Sequence, residues 1–397
     1  MAETRTVVAT AGIAALAALA AVRTVLARRV IRRPRPPAPI SALADVTVLV
    51  AVRSGDPLLP ARLAEQADAL APAQVRLLVD DDDPVGRAAA REAARGRDHV
   101  AVVDHPPPPP GTNPKLHKLA LAEPDCREVV VVLDDDTVLP DGGLARLVGG
   151  LADADLVTGI PVYLDRGAVP SRLVAAFVNS SALPSYLALA AVAAPVSING
   201  MVLATRRRDL AAIGGLSTLL DATCDDYALA LAYRRHGLRI AQLAQPVLLA
   251  TSVDGPGGYA RLLHRWMLFA QQVVQRDLTP GLLGLVIVPA VLPIAVVGAA
   301  LAAGPVATVA AVGVLVGQAV ATRGLRRELG VGPDGVRGLG LEVLALLVAP
   351  LHAAAAFVGP RHVRWRGRRV RVGVGSAADG AKAADGASAA DGGAARL

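Results

Sequence analysis

Two short runs of aspartates each follow an apolar, valine-rich segment. Asp80 begins a run of four, and Asp134, Asp135 and Asp136 form the other. Carboxylates this close repel one another unless a cation or solvent screens them. Asp134 and Asp136 can face the same way and bind one hard divalent ion, Mg²⁺ or Mn²⁺, leaving positions for a diphosphate. Solvated strand-to-helix turns also use aspartate, so each run alone is weak evidence for a site.

A lysine pair lies between the two acidic runs. Lys115 and Lys118 follow Asn113 and Pro114, and they are two of the three lysines among 41 basic residues. In a chain that otherwise uses arginine, a compact ammonium at this place suits a phosphate. Chance clustering in the first turn of a helix is the alternative.

A third acidic pair, Asp225 and Asp226, begins a helical stretch that runs to Arg235. There the helix dipole stabilises the charged form, and either side chain can also act as a helix cap. Repulsion by Asp225 would raise the pKa of Asp226.

A basic helix with apolar spacing contains Arg265 and Trp266 and precedes a long apolar segment that begins at Leu278. Taken alone, this pattern is typical of an interfacial helix whose arginines meet lipid head groups and whose tryptophan lies at the membrane boundary.

The elements that must position these residues alternate between strands and helices, which predicts an α/β domain with a mainly parallel sheet covered on both faces. Folds of this kind bind ligands at the carboxyl ends of their strands, where both acidic runs lie. The predicted strands are 46–52, 75–79, 100–103 and 129–133, and the predicted helices include 58–70 and 85–95.

Apolar segments on both sides of this domain predict membrane helices. Residues 6–27 have the length of one span, and the basic residues follow the run, which favours an uncleaved anchor over a signal peptide. Residues 278–322 allow two spans with a turn near 303–305. By the positive-inside rule, the domain at 40–277 faces the cytoplasm of a multi-pass cell-membrane protein.

Three further segments have an open or separate role. Residues 343–360 form a third hydrophobic segment that either spans the membrane or is re-entrant. Residues 173–195 are uncharged and form either an interfacial segment that admits a lipid or a buried helix pair. Residues 376–397 repeat Ala-Ala-Asp-Gly and are expected to be a disordered tail.

Composition agrees with a membrane partner. The chain has 397 residues, 53% of them hydrophobic and 19% charged, with a net charge of +7. Aromatic residues make up 3%, so the basic charge lacks the stacking residues of a nucleic-acid site, and no nucleic acid is expected. Two cysteines, Cys126 and Cys224, indicate neither a disulfide framework nor a metal motif.

The order of these motifs resembles the membrane-bound glycosyltransferases of family 2 and, more closely, the ceramide glucosyltransferase group of family 21. Bacterial hopanoid-associated glycosyltransferases are also similar. The resemblance covers about residues 40 to 372 and includes Gly159-Ile160-Pro161 and Trp365-Arg366-Gly367-Arg368. It implies a GT-A-like nucleotide-binding domain, a nucleotide-sugar donor, a divalent metal and a membrane lipid acceptor.

The resemblance also implies roles for individual residues. Asp80 would contact the uracil and ribose, Asp134 and Asp136 would hold the metal and diphosphate, and Asp226 would be the general base. Arg265 and Trp266 match the end of the (Q/R)-x-x-R-W motif, whose first position here is Leu262, with Arg261 one residue earlier. Lys115 would assist Asp134 in binding the nucleotide sugar.

The implied reaction is an inverting transfer. A lipid hydroxyl deprotonated by Asp226 would attack the sugar C1, while the metal, Lys115 and Arg265 would take up charge on the leaving nucleoside diphosphate.

Two other functions remain open at this stage. A processive polysaccharide synthase would need more membrane helices to enclose a channel. A small transporter would bury polar residues within its spans, whereas residues 278–322 contain no charged residue. A non-catalytic scaffold would lack metal-dependent binding of a uridine nucleotide.

Overall fold

The computed structural model describes residues 1–371 except 34, 251, 333, 334, 366 and 367, so the predicted tail at 376–397 lies outside the described residues. The described helices are α1 Ala2–Ile31, α2 Leu59–Leu70, α3 Pro84–Ala94, α4 Pro114–Ala122, α5 Gly143–Gly150, α6 Val169–Ala190, α7 Arg207–Ala212, α8 Asp225–Arg235, α9 Gly255–Asp277, α10 Pro280–Leu282, α11 Val288–Ala303, α12 Pro305–Glu328 and α13 Leu339–Val358. A π-helical turn, Leu283–Ile287, joins α10 to α11.

An eight-stranded mixed sheet, in the order β3-β2-β1-β4-β7-β6-β8-β5, forms the centre of the soluble domain. Its strands are β1 Val46–Ala51, β2 Gln74–Asp80, β3 Val100–His105, β4 Val129–Leu133, β5 Thr137–Val138, β6 Leu156–Tyr163, β7 Val202–Arg206 and β8 Ile240–Leu249. A separate hairpin pairs β9 His362–Trp365 with β10 Arg368–Arg371.

The predicted parallel arrangement is confirmed for the first four strands. β1 lies between β2 and β4, and β3 adds at the edge, all in parallel. The second half is mixed, because β7 runs antiparallel to both β4 and β6, whereas β6 and β8 are parallel. The start of β7 therefore lies beside the end of β4, and a further loop joins the carboxyl edge of the sheet.

Two hydrophobic cores cover the two faces of this sheet, as the period of two along a strand requires. In β1, the buried Val46, Val48 and Val50 face one core, which also contains residues of α2, α3 and α5. Leu49 points to the other core, which contains residues of α4, α7 and α8. The sheet is buried on both sides, and its polar residues are therefore concentrated at the strand ends.

Five helical segments are long and apolar enough to cross a membrane: α1, α6, Pro280–Ala303, α12 and α13. Their candidate windows have mean hydropathies of 1.5 to 2.6, and in four of them the protein buries between 11% and 28% of the window. These apolar faces need lipid to cover them. The chain is a membrane protein.

Helix α6 differs from the other four candidate spans. The protein itself buries 67% of its candidate window. Most of residues 173–195 lie in this single helix, which continues through Pro184, and they do not form a helix pair. Its buried Leu183 and Leu187 share a core with Ala27 of α1 and Leu325 of α12, so α6 connects the soluble domain to the membrane helices.

Candidate active site

The candidate site lies at the carboxyl edge of the parallel half of the sheet. β2 ends at Asp80, β3 ends at His105, and β4 ends just before Asp134. Parallel strands bring these ends together although more than 50 residues separate the first acidic residue from the last. The N-terminus of α4 and the loop before β7 complete the edge.

Helix α4 starts at this edge because its first residues form a strong N-terminal cap. The side chain of Asn113 accepts hydrogen bonds from the backbone N–H groups of Lys115 and Leu116, and Pro114 occupies the first turn. This is the usual chemistry of a helix start. The Asn113 amide also donates to the carbonyl of Ala222, at 2.9 Å, which fixes the cap to the segment just before α8.

Lys118 is buried against the second strand. Its Nζ donates to the carbonyl of Val52 at 2.7 Å and lies 3.2 Å from Oδ2 of Asp80. The lysine side chain is 1% exposed and that of Asp80 2%. Lys118 is therefore an internal partner of Asp80, and of the two lysines Lys115 is the one available to a ligand.

Lys115 joins three segments that are distant in sequence. Its Nζ lies 2.7 Å from Oδ1 of Asp134 and 3.2 Å from Oδ2 of Asp225, and it donates to the carbonyl of Gly200 at 2.8 Å. Burial alone would lower the pKa of Lys115, but the two carboxylates raise it above its usual value. The side chain therefore remains a cation and holds the acidic groups together.

The turn that carries the second acidic run separates its three carboxylates. Asp135 Oδ2 accepts a hydrogen bond of 2.7 Å from the backbone N–H of Arg53, so the middle residue is tied to the loop after β1. The amide of Gln66 donates to the carbonyl of Asp134 at 2.5 Å and also to that of Thr137, which fixes the turn. All three side chains remain partly exposed, and Asp134 and Asp136 are the two that are not tied to the loop after β1 by this hydrogen bond.

Asp134 and Asp136 fit the metal that the sequence predicts. Within the described part of the chain, no group of three or more His, Cys, Asp or Glu side chains forms a ready metal site. Mg²⁺ sites often use one or two carboxylates together with substrate phosphates and water, so two suffice. Burial, then repulsion by Asp136 and Asp134, raises the pKa of Asp135 to about 8, which indicates an excess of negative charge that a divalent cation would relieve.

Asp226 has one oxygen engaged and lies against a glycine. Its Oδ1 accepts from the thiol of Cys224 at 2.9 Å and from the backbone N–H of Tyr227 at 2.7 Å. A Cβ on Gly200 would lie 3.2 Å from Oδ2, so the glycine leaves room beside this second oxygen. Burial, then repulsion by Asp225, raises the pKa of Asp226 to about 6, which agrees with the sequence-based expectation.

A clamp fixes α8, the helix that carries Asp225 and Asp226, to the end of α9. Arg234 forms two hydrogen bonds of 2.8 Å with the two oxygens of Asp277, and the Tyr227 hydroxyl donates to Asp277 at 2.7 Å. Asp277 is the last residue before the apolar segment that begins at Leu278. The clamp therefore couples the acidic pair to the membrane end of α9.

Arg265 and Trp266 lie on α9 but do not join the acidic cluster directly. The Trp266 ring packs edge-to-face on Tyr163 at the end of β6, with centroids 6.1 Å apart and planes at 75°. Arg265 is exposed and forms no ion pair with any described carboxylate. The structure brings together Asp134, Lys115, Asp225 and, beside them, Asp226, whereas Arg265 lies on a neighbouring helix.

Two polar groups of the candidate site were not predicted from the sequence. The Gly200 carbonyl binds Lys115, and its segment Ser197–Met201 gave no chemical signal because the group involved is a backbone oxygen. The thiol of Cys224 contacts Asp226. Its place directly before two aspartates at a helix start was the available signal, but a lone cysteine is usually only a small buried residue.

Three solved structures are similar to between 63% and 89% of this chain, at low sequence identity. A mannosyltransferase from Pyrobaculum calidifontis, solved with GDP-Man and Mn²⁺, matches with a TM-score of 0.49 and 20% identity, over 89% of this chain and 99% of that chain. Glucosyl-3-phosphoglycerate synthase from Mycobacterium tuberculosis, solved with Mg²⁺ and UDP, matches with 0.38 and 17%, over 63% and 84%. S. aureus TarS, solved with UDP-GlcNAc, matches with 0.35 and 12%, over 84% and 98%.

The sequence comparisons place the chain in a family. No curated protein sequence matches it. The family model described as glycosyl transferase family 21 matches residues 8–378, nearly the whole chain. The mixed sheet with helices on both faces is the GT-A-like architecture expected from the motifs. The chain belongs to glycosyl transferase family 21, the ceramide glucosyltransferase family, and is a nucleotide-sugar glycosyltransferase.

Proposed function

We propose that this protein transfers a hexose from a UDP-sugar to the hydroxyl of a membrane lipid, with inversion at the anomeric carbon. The main support is the position of the Lys115 ammonium, which pairs with both Asp134 and Asp225. One ammonium joins the aspartates expected to hold the diphosphate to the helix that carries the expected base. The residues proposed to bind the sugar donor and the residue proposed to activate the lipid acceptor thus lie at the same edge of the sheet.

Asp226 acts as the general base of this reaction. Cys224 and the Tyr227 backbone hold Oδ1, so Oδ2 is the atom that accepts the proton of the lipid hydroxyl. With a pKa of about 6, the carboxylate is ionised at neutral pH and still basic enough to take part in proton transfer. The deprotonated oxygen attacks C1 from the face opposite the leaving diphosphate.

The donor binds across the ends of β2 and β4. Asp80 would contact the nucleoside, and Asp134 and Asp136 would hold a divalent metal, Mg²⁺ or Mn²⁺, which would offset charge on the diphosphate. Lys115 adds a fixed positive charge beside Asp134. Arg265 and Trp266 lie on α9, where they border the entry of the acceptor, and Arg265 is exposed and available to the leaving diphosphate.

The acceptor reaches this site from the membrane. The loop after α6 carries Gly200, which lies against Asp226, and α6 itself packs against the membrane helices α1 and α12. A lipid hydroxyl at the head-group level could therefore approach the base along α6. We propose that the catalytic domain faces the cytoplasm, because basic residues follow the anchor α1.

The test is transfer from a panel of UDP- and GDP-sugars by detergent-purified protein, with Mn²⁺ or Mg²⁺ and membrane lipids. The variants are Asp226→Asn and, as a matched control, Asp141→Asn, which changes an exposed aspartate. We expect nucleotide release that requires metal and lipid, is lost in Asp226→Asn and is unchanged in Asp141→Asn. Equal activity of Asp226→Asn and wild type would refute the assigned base, and lipid-independent chain growth would favour a processive synthase.

A further inference from the structure

Helix α1 contains a buried arginine that lacks a carboxylate partner. Arg23 is 4% exposed. Its Nη2 donates to the hydroxyl of Ser185 in α6 at 2.8 Å, whereas its buried Nε has no hydrogen-bond partner among the described residues. One neutral hydroxyl is therefore the side-chain partner found for a full positive charge.

Each of the other buried Lys and Arg side chains in the described part of the chain has a carboxylate partner. Lys118 pairs with Asp80 at 3.2 Å. Arg323 and Arg326 both pair with Glu342, at 2.7 Å and 2.5 Å. Arg23 alone among these four has no carboxylate within 4.0 Å in the described structure. An uncompensated buried charge is strongly destabilising, so an anion from outside the chain would complete this site.

The position of Arg23 identifies the kind of anion. It precedes Arg28 by five residues, which is about 7.5 Å along a helix with a rise of 1.5 Å per residue. Arg28 and Arg29 begin the basic end of α1, where cationic side chains meet lipid head groups. Arg23 therefore lies slightly deeper, near the boundary between head groups and acyl chains, where lipid phosphates are the abundant anions.

We propose that Arg23 and Ser185 bind the phosphate group of a membrane lipid. A guanidinium presents several N–H donors in a planar fork that matches phosphate oxygens, and Nε is the donor left over in this structure. Ser185 fixes the guanidinium through its hydroxyl. The bound phosphate belongs either to a phospholipid beside the site or to a phosphate-bearing lipid that receives the sugar.

The experiment measures lipid-dependent thermal stability of the full-length chain, delipidated in a neutral detergent. The additions are phosphatidylglycerol, a polyprenyl phosphate, diacylglycerol and inorganic phosphate. The variants are Arg23→Met and Ser185→Ala, with Arg91→Met as the matched control because Arg91 is an exposed arginine on α3 of the soluble domain. Native mass spectrometry counts the phosphate-bearing lipids that remain bound to each variant.

We expect the two phosphate-bearing lipids to raise the Tm of wild type and of Arg91→Met, while diacylglycerol and inorganic phosphate have little effect. In Arg23→Met the apparent lipid affinity falls about tenfold, equivalent to about 1.4 kcal/mol. Without lipid, Arg23→Met unfolds no earlier than wild type, because it removes an unpaired buried charge. Ser185→Ala retains the charge and loses part of the affinity.

Three results would overturn the proposal: equal lipid responses in Arg23→Met and wild type, equal stabilisation by diacylglycerol, or full stabilisation by inorganic phosphate alone. Adding the sugar donor to the lipid-bound protein distinguishes the two sources. A mass gain of one hexose on the bound lipid identifies it as the acceptor, and an unchanged mass identifies a neighbouring phospholipid. Because binding is measured without transfer, failure of the proposed glycosyl transfer would leave this test interpretable.

Discussion

Lys118 and Asp80 form an ion pair of 3.2 Å in which neither side chain is more than 2% exposed. Lys118 also donates to the carbonyl of Val52, the residue after β1. The pair thus connects α4 to the ends of two parallel strands. The position and charge of Asp80, a candidate for nucleotide binding, therefore depend on Lys118, whose side chain is buried.

Replacement of Lys118 by methionine should destabilise the soluble domain. The change leaves the Asp80 carboxylate buried and without its cation, and breaking a buried pair in this way costs about 3–5 kcal/mol. Denaturant unfolding of the purified protein measures the difference. The double variant Lys118→Met/Asp80→Leu removes both charges and should recover much of the loss; a double variant as unstable as Lys118→Met would contradict the role of the pair.

The pH dependence of transfer should follow Asp226. The base must be ionised, so activity is present above its pKa of about 6 and is lost as the pH falls through that value. The thiol of Cys224 lowers this pKa by hydrogen bonding to the carboxylate. Cys224→Ala should therefore move the acid limb of the kcat profile to higher pH, with little change on the alkaline plateau.

The other buried cysteine supplies the control for this shift. Cys126 donates to the backbone carbonyl of Ala122, far in sequence from Asp226. Cys126→Ala should leave the acid limb where it is in wild type. An unchanged profile in Cys224→Ala would show that the thiol does not influence the base.

The Mn²⁺ concentration needed for activity should respond differently to substitution depending on which of the three aspartates after β4 is changed. Asp134→Asn and Asp136→Asn each remove an expected ligand and should raise the Mn²⁺ concentration for half-maximal activity about tenfold or more. Asp135→Asn changes the residue tied to the Arg53 backbone and should have a much smaller effect on that concentration. Activity titrated with Mn²⁺ after chelator treatment checks this; an equal effect at all three positions would argue against a two-carboxylate site.

The Arg234–Asp277 clamp should stabilise the protein in a pH-dependent way. Hydrogen bonding to Arg234 holds the pKa of Asp277 below its usual value. Its contribution is therefore complete above the unfolded-state pKa of about 3.9 and is lost as the pH falls through the lower folded value. Asp277→Asn should lower the free energy of unfolding by about 1.5–3 kcal/mol at pH 7, typical of hydrogen bonds to charged groups.

An exposed pair of similar geometry is the control for the clamp. Asp68 accepts two hydrogen bonds from Arg97, at 2.7 and 2.9 Å, but its side chain is 67% exposed. Asp68→Asn should cost at most about 1 kcal/mol, since solvent screens surface pairs. Thermal unfolding between pH 3 and 7 compares the two variants; a deficit in Asp277→Asn that persists unchanged at pH 3 would exclude the proposed ionic origin.

The sequence by itself predicted the parallel half of the sheet. Valine-rich segments such as 129–133 are apolar on both faces, and this pattern is strong enough to identify a strand covered by helices on both sides. The antiparallel β7 was not predicted, because pairing direction depends on how the chain returns to the sheet and leaves little local signal. The family resemblance, which depends on the order of motifs, was confirmed.

The tertiary structure alone decided which charges meet. Asp80, Lys115, Asp134 and Asp226 were candidates because strand ends and helix starts are visible in a sequence. Nothing local shows that Lys118 turns inward to Asp80, that Lys115 spans Asp134 and Asp225, or that Arg23 is buried without an acid. These contacts join residues between 19 and 162 positions apart, and electrostatic partners at such separations are set by the packing of whole elements, which a local pattern does not encode.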